Sequence, residues 1–463
     1  MAERLIVIGA DAAGMSAASQ ARRRRGRDDL EIVAFDRGHF TSYSACGIPY
    51  WISGLVKNRD ELIARDPSTF RNQFDIDVRL QHEVTAIDLN RREVVARDLS
   101  DGGREVREGF DQLVYAAGAV PTRPGWAKAE VAGLFGVQTL DDGHALRDWL
   151  ERQPQPRRAI VVGAGYIGVE MAEAMIRRGL DVTLVERSDQ PISTVDPDMG
   201  DRLRGAMSGL GIDVRTGVTV TGLRTENGRV TGVETEGGQI PAEVVVLGLG
   251  VRPNTGLAAD AGLPLGVTGG IRVDLRMRVV DTPGVWAAGD CVETTHRVTG
   301  SPVHIPLGTH ANKQGRVVGI NLGGGYATFP AVAGTAVVQV CGLEVGHTGL
   351  RERDAAAAGF AYVTATVEST SRAGYFPGSA PMTVKLIAEQ RTGRLLGAQI
   401  VGGVDAAKRI DALAVALWNG MSVLEMIDLD LGYAPPFAPV WDPVLIAARK
   451  AVEALHAGGG SGG

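Results

Sequence analysis

Residues 41–51 read TSYSACGIPYW and carry Cys46, one of three cysteines in a chain of 463 residues. A thiol can attack a disulfide, hold a second sulfur or cycle between oxidation states, provided that it ionises to the thiolate. Gly47, Ile48 and Pro49 predict a helix start directly after it, because proline is favoured in a first helical turn. At that end the thiol feels the helix N-terminus and is favoured as a reactive thiolate. Taken alone, Cys46 is equally a small buried apolar residue, as most free cysteines are. What the rest of the chain builds around it decides between the two.

Cys46, Cys291 and Cys341 form no CxxC pair and no cluster with metal-ligand spacing, and three cysteines make no disulfide framework. A reducing cytoplasm fits that usage, and no metal site is expected. The N-terminus runs straight into a strand-and-loop pattern without a basic leader, and no apolar run approaches a membrane span. A net charge of −6 gives no global attraction to polyphosphate, which argues against a nucleic-acid partner. The basic run Arg22–Arg25 with Arg27 reads first as a solvated face late in a helix. With 44% hydrophobic residues the chain has enough apolar surface for about three packed domains. The tail AGGGSGG, residues 457–463, reads as a linker.

Two segments position nucleotides. In RLIVIGADAAGMSAASQARRR an apolar strand, a glycine turn (Gly9, Gly14) and an Ala-rich helix follow one another, and a second strand, EIVAFD, ends on Asp36. This is the plan of a dinucleotide-binding unit: glycines let the backbone approach the pyrophosphate, the helix N-terminus faces it, and the acid takes the ribose hydroxyls. Asp11 stands at the middle glycine position. The second copy, AIVVGAGYIGVEMAEAMIRRGLDVTLVE, keeps all three glycines, Gly163, Gly165 and Gly168, and ends its next strand on Glu186. Two such units make an internal repeat and imply two dinucleotides, the usual pair being a flavin and a nicotinamide. Glu186 favours the free ribose diol of NADH over the 2'-phosphate of NADPH, and Arg187 beside it works the other way.

Three later strand-like runs end in glycine: QLVYAAGAVPTRP, EVVVLGLGVRPNT and TPGVWAAGDCVE. In the last, Asp290 follows Gly289, where a carboxylate serves as a helix N-cap, as a bond to a sugar hydroxyl, or as both. In this order around two nucleotide units, the runs resemble the two-dinucleotide flavoprotein disulfide reductases. The resemblance implies an α/β chain of two Rossmann-like domains on the glutathione-reductase plan and a C-terminal α+β dimerisation domain. FAD is expected on residues 1–120 with 252–327, NAD(P)H on 121–251, and a homodimer through 328–456. It assigns Ala13, Arg37, Ser42, Gly118, Pro306, Ala311 and Lys313 to FAD beside Gly9, Asp11, Gly14, Asp36, Gly289 and Asp290. Tyr166, Ile167 and Gly250 join Gly163, Gly165, Gly168, Glu186 and Arg187 at the nicotinamide dinucleotide.

The two-cysteine helix and C-terminal His-Glu pair of glutathione and lipoamide reductases are missing. SYSACGIPY, ANKQGR (311–316), AGYFPG (373–378) and GYAPPFAPVWDP (432–443) instead resemble the single-cysteine branch of coenzyme A-disulfide reductases, NAD(P)H persulfide or polysulfide reductases and NADH oxidases. That resemblance makes Cys46 the redox thiol. It brings Tyr433 and Tyr375 from the partner subunit, where a phenol can protonate a leaving thiolate. Gln20, Arg23, Ser42 and Asn312 are implied at a coenzyme A site, with the Arg22–Arg25 run as a further phosphate ligand. Ala45, Phe74 and Trp441 replace an asparagine and lysines of relatives that bind coenzyme A tightly, so phosphate contacts are expected to be lost here. The expected activity is NAD(P)H-dependent reduction of a low-molecular-weight disulfide or persulfide. Oxygen or peroxide reduction by an NADH oxidase is the alternative, and a signalling flavoprotein or ferredoxin reductase the alternative from another class.

Overall fold

In the computed structural model residues 2–127, 130–152 and 155–459 are described. The first sheet is parallel throughout, in the order 285–287, 112–115, 3–8, 30–35, 77–79. Its central strand Glu3–Ile8 is buried on both faces, which is why LIVI reads as a continuous apolar run and not as an alternating one. Strand Val285–Ala287 returns from far along the chain to close this sheet beside Gln112–Tyr115. The second sheet repeats the design, in the order 213–215, 181–185, 158–162, 244–247, 134–136. Each parallel sheet is interrupted in sequence by a small three-stranded antiparallel one, residues 82–109 before strand 112–115 and residues 220–241 before strand 244–247. The chain crosses between the units through the antiparallel pair Ala119–Pro121 and Val251–Pro253.

Four helices matter for the site: α1 (Ala12–Arg22), α2 (Ile48–Ser53), α3 (Tyr166–Arg177) and α4 (Gly308–Leu322). Helix α4 lies backbone to backbone on α1, since a Cβ at Gly315 would come within 2.2 Å of Ala13 O and one at Gly319 within 2.4 Å of Ala17 O. Helix α2 belongs to the first unit by sequence, yet Ile48, Trp51 and Ile52 bury themselves in the core of the second, with Met171 and Met175 of α3. The cysteine segment therefore sits between the two nucleotide units.

Residues 336–402 form a third, antiparallel sheet in the order 336–340, 343–349, 395–402, 381–389, 362–370. Lys385 in this sheet ties it to the second unit. Its buried ammonium lies 3.3 Å from Asp196, 2.7 Å from Asp198 and 2.5 Å from Glu352, so those converging carboxylates surround a cation supplied by the chain itself. The last helix runs Pro443–Gly459. The expected linker thus begins within a helix, whose regular hydrogen bonding extends through its first glycines; its remainder, 460–463, lies outside the described residues.

Candidate active site

Two glycine turns carry the clearest geometry. Gly9 adopts φ +96°, and a Cβ there would lie 2.2 Å from Ala116 O; Gly163 adopts φ +98° and would meet Gly248 O at 2.4 Å. The third glycines press helix onto strand, a Cβ at either Gly14 or Gly168 lying 1.9 Å from the carbonyl of the first glycine. Asp36 Oδ2 and Oδ1 accept the N–H groups of Ala10 and Gly38 at 2.9 and 2.8 Å. Lone pairs remain on both oxygens for sugar hydroxyls. Arg37 and Lys313 are exposed at the margin. Gly118 and Gly250, at φ +66° and +79°, flank the crossing pair of strands.

Gly289 lies against Ala13 and Ala311, where an added Cβ would approach their Cβ atoms at 3.0 and 3.8 Å, and its N–H is held by Gln314 Oε1 at 2.8 Å. That places Asp290 beside the α1 turn. Its backbone carbonyl pairs with His304 Nε2 at 2.8 Å, two residues before Pro306, whereas its carboxylate has no hydrogen-bond partner among the described residues. Burial pushes this carboxyl up, with His304 opposing. An open cradle with backbone N–H groups, one acid on the turn and an unpaired half-buried acid opposite fits a dinucleotide with its sugar hydroxyls.

Asp11 fills the middle glycine position without blocking the turn, and Tyr43 N–H donates to its Oδ1 at 3.3 Å. Burial first, then the charges of Asp36 and Asp290, raise its carboxyl to about 7. Thr41 Oγ1 also bonds Ala10 O, so the segment leading to Cys46 is pinned at two points to the first glycine turn. In the second unit Gly165 caps α3, Tyr166 and Ile167 follow in its first turn, and the Tyr166 ring stacks on His347 at 6.1 Å with a shared hydrogen bond. Glu186 accepts from Ala164 and Ser188, and Arg187 is exposed beside it.

Cys46 lies on a single helical turn, Ala45–Gly47, that continues into α2, with Pro49 in the first turn as the sequence predicts. The residue is exposed in the single chain, while its neighbours partly screen the sulfur from water. Its expected depression to a thiolate is not what the surroundings produce: burial, then Glu170 and Asp290, push it up. Helix α2 has only six residues, too short to offset two nearby carboxylates. Glu170, two residues past the second glycine motif, was not singled out from the sequence. Burial raises its carboxyl to about 7, and Tyr50 Oη donates to its Oε1 at 3.3 Å.

Gln20, Arg23, Ser42 and Asn312 come together on one cavity of about 320 Å³ between α1, the Ser42 loop and α4. Ser42 takes a left-handed φ of +51° there, and Asn312 Oδ1 accepts from Ser16 Oγ at 2.8 Å. Arg65 and Arg316 also line it, two cations the sequence reading did not anticipate. The Arg65 guanidinium lies 5.5 Å from the centre of the Phe74 ring, so the position expected to have lost a lysine has a cation over it. Of the basic run only Arg23 lines the cavity. Arg22 bonds the carbonyls of Gly26 and Asp75 at 2.8 and 3.0 Å, and Arg25 bonds Asp29 O at 2.8 Å.

Tyr375 and Tyr433 lie near one another on the third unit, both exposed. Arg409 ties their loops by donating to Ser371 O and Phe437 O, both at 2.7 Å. Within its own chain Cys46 feels Glu170 and Asp290, and neither tyrosine is among the groups acting on it.

Residues 3–315 match the family of pyridine nucleotide-disulphide oxidoreductases, and residues 335–443 match the dimerisation domain of the same family. The chain belongs to this family. The oxidoreductase is 36% identical over 450 residues to an NAD(P)H coenzyme A polysulfide/persulfide reductase of Pyrococcus horikoshii, covering 97% of this chain and 98% of the relative. It is 34% identical over 453 residues to an NADH oxidase of Methanocaldococcus jannaschii, covering 98% and 99%. The solved structure of an NAD-dependent persulfide reductase from A. fulgidus superposes with a TM-score of 0.93 at 37% identity, over 97% of this chain and 83% of that one. This oxidoreductase is therefore an FAD and NAD(P)H enzyme of the glutathione-reductase-like fold. Among its described residues no helix is long and apolar enough to cross a membrane.

Proposed function

We propose that this enzyme uses NADH to reduce a low-molecular-weight disulfide or persulfide of a phosphate-bearing thiol, coenzyme A in the first instance, through Cys46. The single observation that carries the substrate class is the cavity in which Arg23, Arg65 and Arg316 converge, entered along Ser42, four residues before Cys46 on the same segment. Three guanidiniums on one small cavity call for an anion of several charges, and arginine forks match phosphate. Ser19 Oγ, buried in the same wall, has no partner among the described residues and is left for a ligand.

FAD, held by the first glycine turn with Asp36 and Asp290, would supply the electron pair that reduces the sulfur, drawn from the nicotinamide. Cys46 contributes the nucleophile. Its thiolate attacks one sulfur of R–S–S–R', the S–S bond breaks, R'S⁻ leaves, and Cys46 Sγ is joined to RS. Two electrons then cleave this mixed disulfide to Cys46 S⁻ and RS⁻, and each released thiolate takes one proton. Asp36 and Asp290 hold sugar hydroxyls, and the starts of α1 and α3 face the pyrophosphates. Tyr433 and Tyr375 of a second copy stand at the leaving thiolate, which makes the homodimer part of the site. This reading divides the chain into an FAD unit of residues 1–120 with 252–327, an NAD unit of 121–251 and a dimerisation unit of 328–456. Its free thiols suit a reducing cytoplasm.

Mass analysis of the small thiol that dithiothreitol releases from the purified protein tests the reading. Coenzyme A or another phosphate-bearing thiol in stoichiometric amount supports it. A sulfenic acid on Cys46 with no bound thiol, together with oxygen uptake as the faster turnover, would favour the oxidase reading that the Methanocaldococcus relative's name supports.

A further inference from the structure

Strand Leu343–Gly349 of the third sheet sends successive side chains to opposite faces. Val345 enters the core of the second unit together with Val169 and Met171 of α3, and Val338 and Val340 of the neighbouring strand join it there. His347, two residues on, shares that face and reaches the first turn of α3. Its ring stacks on Tyr166, with centroids 6.1 Å apart and planes 12° from parallel, and its Nε2 is hydrogen-bonded to Tyr166 Oη. Both residues stay part-exposed, so the pair stands at the surface of that turn and not inside a core. A second hold lies close by. Arg351, just past the strand, donates to Ser193 O, and in the same loop Ile192 N–H donates to Ala164 O at 2.8 Å, between Gly163 and Gly165. Ile192 sits at φ +51°, which a buried β-branched residue adopts only where its surroundings keep it there. The third unit thus grips the second glycine turn at two points.

Resting on the reading of residues 121–251 as the nicotinamide unit, we propose that His347 is a positioning residue of the nicotinamide-dinucleotide site, acting through Tyr166. Gly165 caps α3 and Tyr166 opens it, so the N–H groups of this turn are the ones that face the pyrophosphate. A phenol held both at its ring face and at its oxygen keeps that turn in line. The order is present before NADH arrives, which lowers the freedom lost on binding. The dimerisation domain thereby contributes a residue to coenzyme binding.

The electrostatics suit an uncharged partner. Burial first, then the Arg351 guanidinium, push the His347 midpoint down to about 4, with Asp354 opposing. Burial likewise pushes the Tyr166 phenol up to about 12. Near neutrality the imidazole is therefore without charge and the phenol keeps its proton. A neutral ring nitrogen and a hydroxyl pair as acceptor and donor in either tautomer, so the contact does not switch across the neutral range.

Anaerobic stopped flow on the FAD-loaded enzyme tests this, since the dependence of flavin reduction on NADH concentration gives both Kd and the limiting rate. The variants are His347→Phe, His347→Gln, Tyr166→Phe and the double variant with both phenylalanines, each first shown to keep its flavin absorbance. His347→Phe keeps a stacking ring and loses the hydrogen bond, so it should raise Kd for NADH about 2- to 10-fold, the net worth of one such bond. Tyr166→Phe should do the same. The double variant should bind no more weakly than the worse single one, because both changes remove one shared contact. His347→Gln retains a hydrogen-bonding group and should stay within about twofold of wild type. Reoxidation of the reduced flavin by coenzyme A disulfide should be unchanged in all four. Unchanged or tighter NADH binding in His347→Phe overturns the proposal. So do additive effects in the double variant, and so does equal slowing of both half-reactions, which would make His347 a packing residue between units. Glu186→Ala with NADH and NADPH binding both unaltered would sink the parent reading instead, whatever the His347 result.

Discussion

Glu186 accepts the N–H groups of Ala164 and Ser188 at 2.7 and 2.8 Å, as Asp36 accepts those of Ala10 and Gly38 at 2.9 and 2.8 Å. One acid per glycine turn, each bonded to its own turn and to the N–H two residues on, is the internal repeat expressed as hydrogen bonds. The longer Glu186 side chain does in the second unit what an aspartate does in the first. Each carboxylate is oriented by the backbone before any sugar arrives.

On the proposed function, Glu186 in that placement sets coenzyme choice. NADH is expected to have the higher kcat/KM, and Glu186→Ala should narrow the gap to NADPH roughly fivefold, the ~1 kcal/mol of like-charge repulsion at ~4 Å in a watery site. The same variant should lower Tm, because two backbone N–H groups lose their acceptor. A wild-type enzyme that already prefers NADPH severalfold would mean that Arg187 dominates.

Asp11 predicts a pH dependence of the FAD-free protein. Its folded midpoint of about 7 lies above the ordinary 3.8, so between these values the unfolded chain has released the proton and the native protein still holds it. Stability from this group is complete below 3.8 and is lost as pH rises through about 7. The Tm of the flavin-free protein should fall over that interval, and Asp11→Asn should flatten the fall. An equal slope in both proteins would assign the dependence to other carboxyls such as Glu170.

The two nucleotide units were legible in the sequence because their constraints are local. A turn that brings Gly9 against Ala116 O, or Gly163 against Gly248 O, tolerates no side chain, so the glycines mark the fold directly. Arg65 was not legible, because its helix-flanking loop reaches the cavity only after α1, α4 and the Ser42 segment have packed. Glu170 was hidden in plain view within VGAGYIGVE, where only the burial of α2 on α3 shows what it faces. The thiolate expected at Cys46 meets the same obstacle: helix polarity is a local property, whereas the burial of the thiol, and after it Glu170 and Asp290, come from parts of the chain distant in sequence. The basic run looked like one patch but splits, with Arg22 and Arg25 closing carbonyls and Arg23 facing the cavity.

Arg65 and Arg316 should determine the substrate's phosphate. Replacing either with alanine should raise KM for coenzyme A disulfide about 10- to 100-fold, the ~1.5–3 kcal/mol of a hydrogen bond to a charged group. KM for a small disulfide without phosphate should stay within about twofold. Equal losses for both substrates would show that the arginines shape the cavity and do not bind phosphate.

Tyr433→Phe should slow release of the reduced thiol about 10²-fold and leave flavin reduction by NADH unchanged, since the proposed function puts its phenol, from the second copy, at the leaving sulfur. Stopped flow separates the two half-reactions. Equal slowing of both would make Tyr433 a packing residue of the loop that Arg409 holds.

The central claim is that electrons leave this enzyme through Cys46, and Cys46→Ser tests it most directly in anaerobic stopped flow. The variant should bind FAD and be reduced by NADH at the wild-type rate, because neither dinucleotide cradle includes the thiol. Its turnover of coenzyme A disulfide and of persulfide should then fall by about 10³-fold or more, since no other thiol in the segment can replace a missing covalent nucleophile. Retained turnover would contradict the account and return Cys46 to the status of an ordinary free cysteine.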